Sequence, residues 1–189
     1  GAHALAQTAH FPKPENINNY KFIKATWSRL PKDIVIKKAE LVPSHFHAQK
    51  SAISKTYIYR IWNEPLPHAL LAHRALWIRK PLDLDRLNKA CEALLGTHDF
   101  NCFRSAGSFV NSTIRTVNSA KFIKSGDFVE FHINGSGFLK QMVRNIVGTM
   151  LQIELKERKV ESIPGLLASR DRRQAGPTVE AQGLYLARV

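Results

Sequence analysis

Residues 135–150, "GSGFLKQMVRNIVGTM", decide how the C-terminal part of this sequence is read. Phe138, Leu139, Met142, Val143, Ile146, Val147 and Met150 recur with the period of an amphipathic helix and fall on one side of its wheel. The other side carries Lys140, Gln141, Arg144, Asn145 and Gly148. A solvated helix face commonly mixes acids with bases at i,i+4, where each pair adds about 0.2–0.5 kcal/mol. Arg144 has Lys140 one turn before it and Gly148 one turn after, and no carboxylate shares its face. The arginine therefore calls for a partner from elsewhere. The glycine, which in mid-helix costs about 1 kcal/mol relative to alanine, suggests that something approaches closely.

Outward from this helix the chain alternates strand and helix patterns. "DFVEFHING" (127–135) sets Val129, Phe131 and Ile133 on one face and runs straight into it. "DIVIKKAELV" (33–42), "KTYIYRIWN" (55–63) and "RALWIRKP" (74–81) are further β-rich runs bounded by proline or turn residues. "DLDRLNKACEALLG" (83–96) has acids in its first turn, an apolar stripe of Leu87, Ala90, Cys91, Leu94 and Leu95, and Gly96 as a stop, which predicts a helix. A short helix near 161–170 precedes a C-terminal strand, "GLYLARV", and "GAHALAQTAHF" at the start alternates like a strand. Strands interleaved with helices predict an α+β fold with helices packed on one face of the sheet.

The 189 residues include 28 Lys+Arg against 15 Asp+Glu, a net charge of +13 and a pI near 10.0. The excess is spread along the chain, so it describes a surface. Polyanions are the natural partners, nucleic acid first; the alternative is a basic surface with no polyanionic ligand. Two cysteines are too few for a disulfide framework, and Cys91 reads as a small buried thiol. With neither a signal peptide nor an apolar run near 18 residues, the expected location is the reducing cytoplasm. No C-x-x-C is present, and His45-x-His47 and His98-Asp99 are weak metal signals. A metal-dependent nuclease built on His45, His47, His98 and Asp127 is the reading those pairs would support.

Within "KTYIYRIW" the side chains of Tyr57 and Tyr59 share one face of the strand, with Arg60 on the other. Aromatic platforms of this kind hold bases taken out of the stack; the competing role is packing within the sheet.

These residues carry a family resemblance. "GSGFLKQMVRNIVGTM" closely resembles a helix of the bacterial tRNA pseudouridine synthase A family, the TruA enzymes. "LPKDIVIKKAELVPSHFHA" is similar to that family's strand and Phe-His-Ala segment, and "SKTYIYRIWN" to its substrate-tyrosine strand. "LLGTHDFNCFRSAG" resembles the loop opening its second half, and "AQGLYLARV" its last strand. The first residues, Gly1-Ala2-His3-Ala4, resemble the end of its catalytic loop, Arg-Thr-Asp-Ala-Gly-Val-His-Ala, with Ala2 in the valine's place.

The resemblance implies two related antiparallel-sheet halves with helices on one face. It divides the chain into a remainder of the N-terminal half (1–48), connecting strands and a helix (49–95), and the C-terminal half (96–189). It implies isomerisation of uridines 38 to 40 in the anticodon stem-loop of tRNA, by a cytoplasmic homodimer that needs no metal or cofactor. The nucleophilic aspartate would lie two residues before Gly1, so the expectation is a chain starting just after its nucleophile, with the N-terminal half truncated and inactive alone. "IRTVNSA" contains Arg115-Thr116 followed by valine, and Asp33, Asp99 and Asp127 lack the Arg-Thr context, so none substitutes. In the family the counterpart of Arg144 forms a salt bridge with that aspartate, and the counterpart of Tyr57 stacks on the flipped base; Tyr59 is expected to pack in the sheet. His3, Lys140 and Gln49 fall with the substrate-binding residues. Gln49 stands where the family usually has arginine, and an amide cannot replace a bidentate cation at phosphate. A non-catalytic RNA-binding fragment of the same fold is the alternative.

Overall fold

The structure, a computed structural model, describes every residue except 14–16, 108 and 156. It falls into two compact units, Gly1–Gln7 with Ile53–Val189, and Thr8–Ala52.

The larger unit is built on one mixed, mainly antiparallel sheet. Its strands are β1 (His3–Ala4), β2 (Lys55–Trp62), β3 (Leu76–Trp77), β4 (Gly96–Asp99), β5 (Ile114–Ser125), β6 (Phe128–Gly135) and β7 (Leu184–Arg188). The order across the sheet is β1-β7-β2-β6-β5-β4, with β3 also pairing with β2. The β5–β6 hairpin turns through two residues, and Gly126 takes the left-handed φ of 59° that so tight a turn requires. Alternation along β2, β5 and β6 puts Tyr59, Ile61, Phe122, Val129, Phe131 and Ile133 on one face, all fully or almost fully buried. Helices α2 (Leu84–Glu92) and α3 (Met142–Glu154) supply Leu87, Cys91, Met142, Ile146 and Met150 to the same core. Asp83 caps α2 by accepting a hydrogen bond from the Arg86 amide, as the acidic start of that segment predicts. A fourth helix, α4 (Ile163–Ser169), buries Ile163, Leu166 and Leu167. Cys91 and Cys102 are free thiols, and burial pushes both up to about 12.

The smaller unit carries α1 (Asn19–Trp27), capped by Asn18, which accepts from the Lys21 amide.

Three expectations are corrected. Residues 33–42 form no strand: Ile34, Val35, Leu41 and Val42 are exposed, and among the described residues no strand pairs with the run. A run of strand-forming residues favours extended chain, whereas a strand also needs a neighbour to bond with. The run at 74–81 shortens to the two residues of β3. Helix α3 begins at Met142, because Gln141 takes a left-handed φ of 60° at its N-cap. Phe138 and Leu139 thus belong to the loop from β6 into α3, where Phe138 meets the Tyr57 ring edge-on at 5.2 Å.

Candidate active site

The polar side of the helix is largely interior. Asn145 and Thr149 are fully buried and Gly148 is buried, because residues 172–180 lie across them. A Cβ on Gly148 would stand 1.8 Å from the Pro177 carbonyl oxygen, so the close approach inferred from a mid-helix glycine is real. Arg144, half-buried on the same helix, donates from Nε to the Val179 carbonyl at 2.6 Å. Among the described residues no carboxylate comes within 4 Å of its guanidinium.

Next to Arg144 on the helix-covered side of β2 is Tyr59, whose hydroxyl donates to the Glu180 carbonyl at 2.7 Å. Burial, and then the Glu180 carboxylate, raise the Tyr59 hydroxyl far above the ordinary phenol range against a smaller opposing pull from Arg144. Tyr59 is thus a fully buried structural phenol, as its place in the sheet predicts. Tyr57, two residues earlier on the same face, is only partly buried and keeps part of its ring accessible. Burial raises its hydroxyl as well, so it is a neutral hydrogen-bond donor near pH 7 and no base. The site therefore combines an accessible aromatic ring, a guanidinium held by one nitrogen, and carbonyls from a segment thirty-odd residues further along the chain.

The other expected residues are placed differently. His3 pairs in register with Tyr185, which pairs with Ile58, so its ring points to the sheet face opposite Tyr57. There it stacks on Tyr185 at 4.7 Å and bonds the His73 carbonyl through Nε2 at 3.0 Å. Lys140 is exposed, and its Nζ donates to the carbonyls of Ala106 and Gly107 at 2.8 and 3.3 Å. Gln49 is exposed in the smaller unit, and its main-chain N–H donates to His47 Nδ1 at 3.2 Å. His45 and His47 belong to that unit too. His98 is registered with Arg115 near the start of β5, while Asp127 lies beyond its end, so about ten residues of strand, roughly 30 Å, separate them. The nuclease constellation is not assembled.

Sequence reasoning missed Asn145, Thr178 and the Val179 and Glu180 carbonyls. Only Gly148, with Gly176-Pro177 downstream, gave any signal of them.

The sequence profile described as tRNA pseudouridine synthase matches residues 90–189, which include α3, the hairpin and the segment that crosses the helix. The chain is 42% identical over 186 residues to "tRNA pseudouridine synthase A 2" of Clostridium tetani, covering 98% of this chain and 75% of that protein. It is 45% identical over 194 residues to "tRNA pseudouridine synthase A" of Bdellovibrio bacteriovorus, covering 100% and 74%. The chain belongs to the tRNA pseudouridine synthase A family. As a tRNA pseudouridine synthase it is by family an isomerase, and the same name attaches to a relative from Acetivibrio thermocellus, 41% identical over 189 residues. In this synthase no described helix is long and apolar enough to cross a membrane.

Proposed function

We propose that this synthase isomerises uridines 38 to 40 of the tRNA anticodon stem-loop, with Arg144 holding the nucleophilic carboxylate and Tyr57 the flipped base. The observation that carries the reading is the Arg144 guanidinium: it is oriented by a main-chain carbonyl, yet has no carboxylate partner among the described residues. A guanidinium held so beside a carboxylate keeps that group ionised and aimed for attack. Gly1 supports the assignment, since a Cβ there would lie 3.3 Å from the Ala181 Cβ, next to Glu180. An aspartate two residues ahead of Gly1 is within reach of the site.

In the reaction the uridine is flipped out, the aspartate attacks, the glycosidic bond breaks, and the uracil rejoins the ribose through C5. Tyr57 offers its face to the base and, being neutral, can donate a hydrogen bond but not take a proton. His3, stacked on Tyr185, holds the course of the loop that would carry the aspartate, and Lys140 and Gln49 contribute to tRNA binding from the surface. The proposed compartment is the reducing cytoplasm, in keeping with two free, buried thiols, and the proposed assembly is the homodimer that the resemblance implies.

The test is tritium release from tRNA labelled at uracil C5. A protein with Arg-Thr-Asp-Ala in frame ahead of Gly1 is expected to release tritium, and the 189 residues alone are not. With that aspartate-bearing enzyme, Tyr57→Phe keeps the stacking face and should retain measurable turnover, whereas Tyr57→Ala should fall further by about 1–3 kcal/mol of lost stacking. Release by the 189 residues alone would place the nucleophile elsewhere and overturn the assignment of Arg144.

Binding is carried by many cations, in keeping with the net charge of +13. The logarithm of tRNA affinity should therefore fall linearly with the logarithm of salt concentration. An affinity flat from low to high salt would mean that the charge serves something else.

A further inference from the structure

The contacts that hold residues 172–180 across α3 converge on the residue beside Arg144. Asn145 is fully buried. Its Nδ2 donates to the Phe103 carbonyl at 2.7 Å and to Ser105 Oγ at 3.2 Å. Its Oδ1 accepts from Thr178 Oγ1 at 2.5 Å and from Arg172 Nη2 at 3.0 Å, and the same Arg172 nitrogen also donates to Thr178 Oγ1 at 3.2 Å. Both ends of the amide are thus used, which fixes its orientation and ties the 103–105 loop, α3 and the crossing segment to one side chain. One turn on, Thr149 Oγ1 donates to the Asn145 carbonyl and accepts from the Gly176 amide, each at 2.8 Å.

The segment so anchored ends in Val179 and Glu180, whose carbonyls receive Arg144 Nε and the Tyr59 hydroxyl. A guanidinium offers a carboxylate two kinds of two-pronged contact, one through Nε with an Nη and one through both Nη atoms. With Nε committed to Val179, only the second stays open.

We infer that Asn145, Arg172 and Thr178 are positioning residues for the isomerisation: by fixing residues 176–180 they make the Val179 carbonyl occupy Arg144 Nε, so that the nucleophilic carboxylate is received end-on through Nη1 and Nη2. The inference rests on the reading of Arg144 as the carboxylate's partner. It differs from a purely structural role of the same bonds, which would govern stability and leave the chemical step alone.

Thr178→Val removes the hydroxyl at nearly constant shape, and Arg172→Lys removes the planar fork while keeping the charge; the second stands in if the first fails to fold. In the aspartate-bearing enzyme either variant should lower kcat about tenfold to a hundredfold, the cost of a misplaced reacting group. KM should stay within about twofold, because substrate contacts are untouched. In the 189 residues themselves, nitrogen NMR of the arginine side chains should show Arg144 Nε–H exchanging with solvent at least about tenfold faster in the variants, since the bond that protects it is loosened. An unchanged kcat with a lowered unfolding temperature, or an unchanged Nε–H exchange rate, overturns the inference. Arg144→Ala separates this from failure of the underlying reading. If Arg144→Ala keeps normal turnover, the carboxylate partnership itself is wrong; if it loses turnover while Thr178→Val and Arg172→Lys do not, only the positioning role is.

Discussion

Arg144→Ala in the aspartate-bearing enzyme is expected to abolish tritium release while leaving tRNA affinity close to that of the parent. Removing one partner of a buried ion pair typically costs about 3–5 kcal/mol, because the other charge is left uncompensated. Applied to the barrier, that is roughly a 10²- to 5 × 10³-fold loss. The carboxylate then protonates or swings away, and either outcome removes the nucleophile. Affinity should hold because it is distributed over many of the chain's 28 Lys and Arg residues, of which Arg144 is one that is half-buried. Single-turnover rates and filter binding on the same preparation decide the matter. Normal turnover with weakened binding would make Arg144 a phosphate contact.

Gly148→Ala should be the most disruptive small substitution in α3. In an ordinary helix interior the change is stabilising by about 1 kcal/mol. Here the new methyl would lie 1.8 Å from the Pro177 carbonyl oxygen and 3.0 Å from its carbon, and main chain cannot rotate aside as a side-chain tip can. Relief requires residues 176–180 to lift from the helix, which loosens the Gly176 and Thr178 hydrogen bonds together with the Val179 contact to Arg144. Overpacking of a tight interior costs about 1–3 kcal/mol, which for a protein of this size lowers the unfolding midpoint by about 2–12 °C. Turnover should fall at least about a hundredfold, because the arginine loses its orientation. Gly165→Ala in α4, with nothing within 4 Å of the added methyl, is the control and should be neutral or slightly stabilising. Equal midpoints and rates for the two variants would contradict the packing described above.

The sequence made some of this legible and hid the rest for identifiable reasons. Arg144 without an acid and Gly148 in mid-helix are anomalies of a single helix, visible without knowing what surrounds it. Asn145 could be placed only on the side opposite the apolar stripe, because helical periodicity separates polar from apolar; it cannot see that Thr178, thirty-three positions later, arrives to satisfy the amide. The α3 start was read too early because Phe138 and Leu139 fit the helical period by chance of a loop that also faces the core. Residues 33–42 are rich in strand-forming residue types, but such a run becomes a strand only through a partner's main chain. Tyr57 and Tyr59 could be assigned to one face from spacing alone; that one is buried and the other accessible depends on Glu180 and Gly183, near the far end of the chain.

The position of β7 has a consequence for how the protein is made. Although it is the last strand in sequence, it lies inside the sheet, parallel to β1 on one side and antiparallel to β2 on the other, with Tyr57 opposite Leu186. Contacts of such long sequence separation form late and slowly, since loop closure must precede any gain from them. Until residues 176–188 leave the ribosome, β2 presents an unpaired edge and Arg144 has no carbonyl to hold it. The order of synthesis thus leaves Arg144 unanchored until the sheet is closed, and a nascent chain should be prone to pair with strangers through that edge.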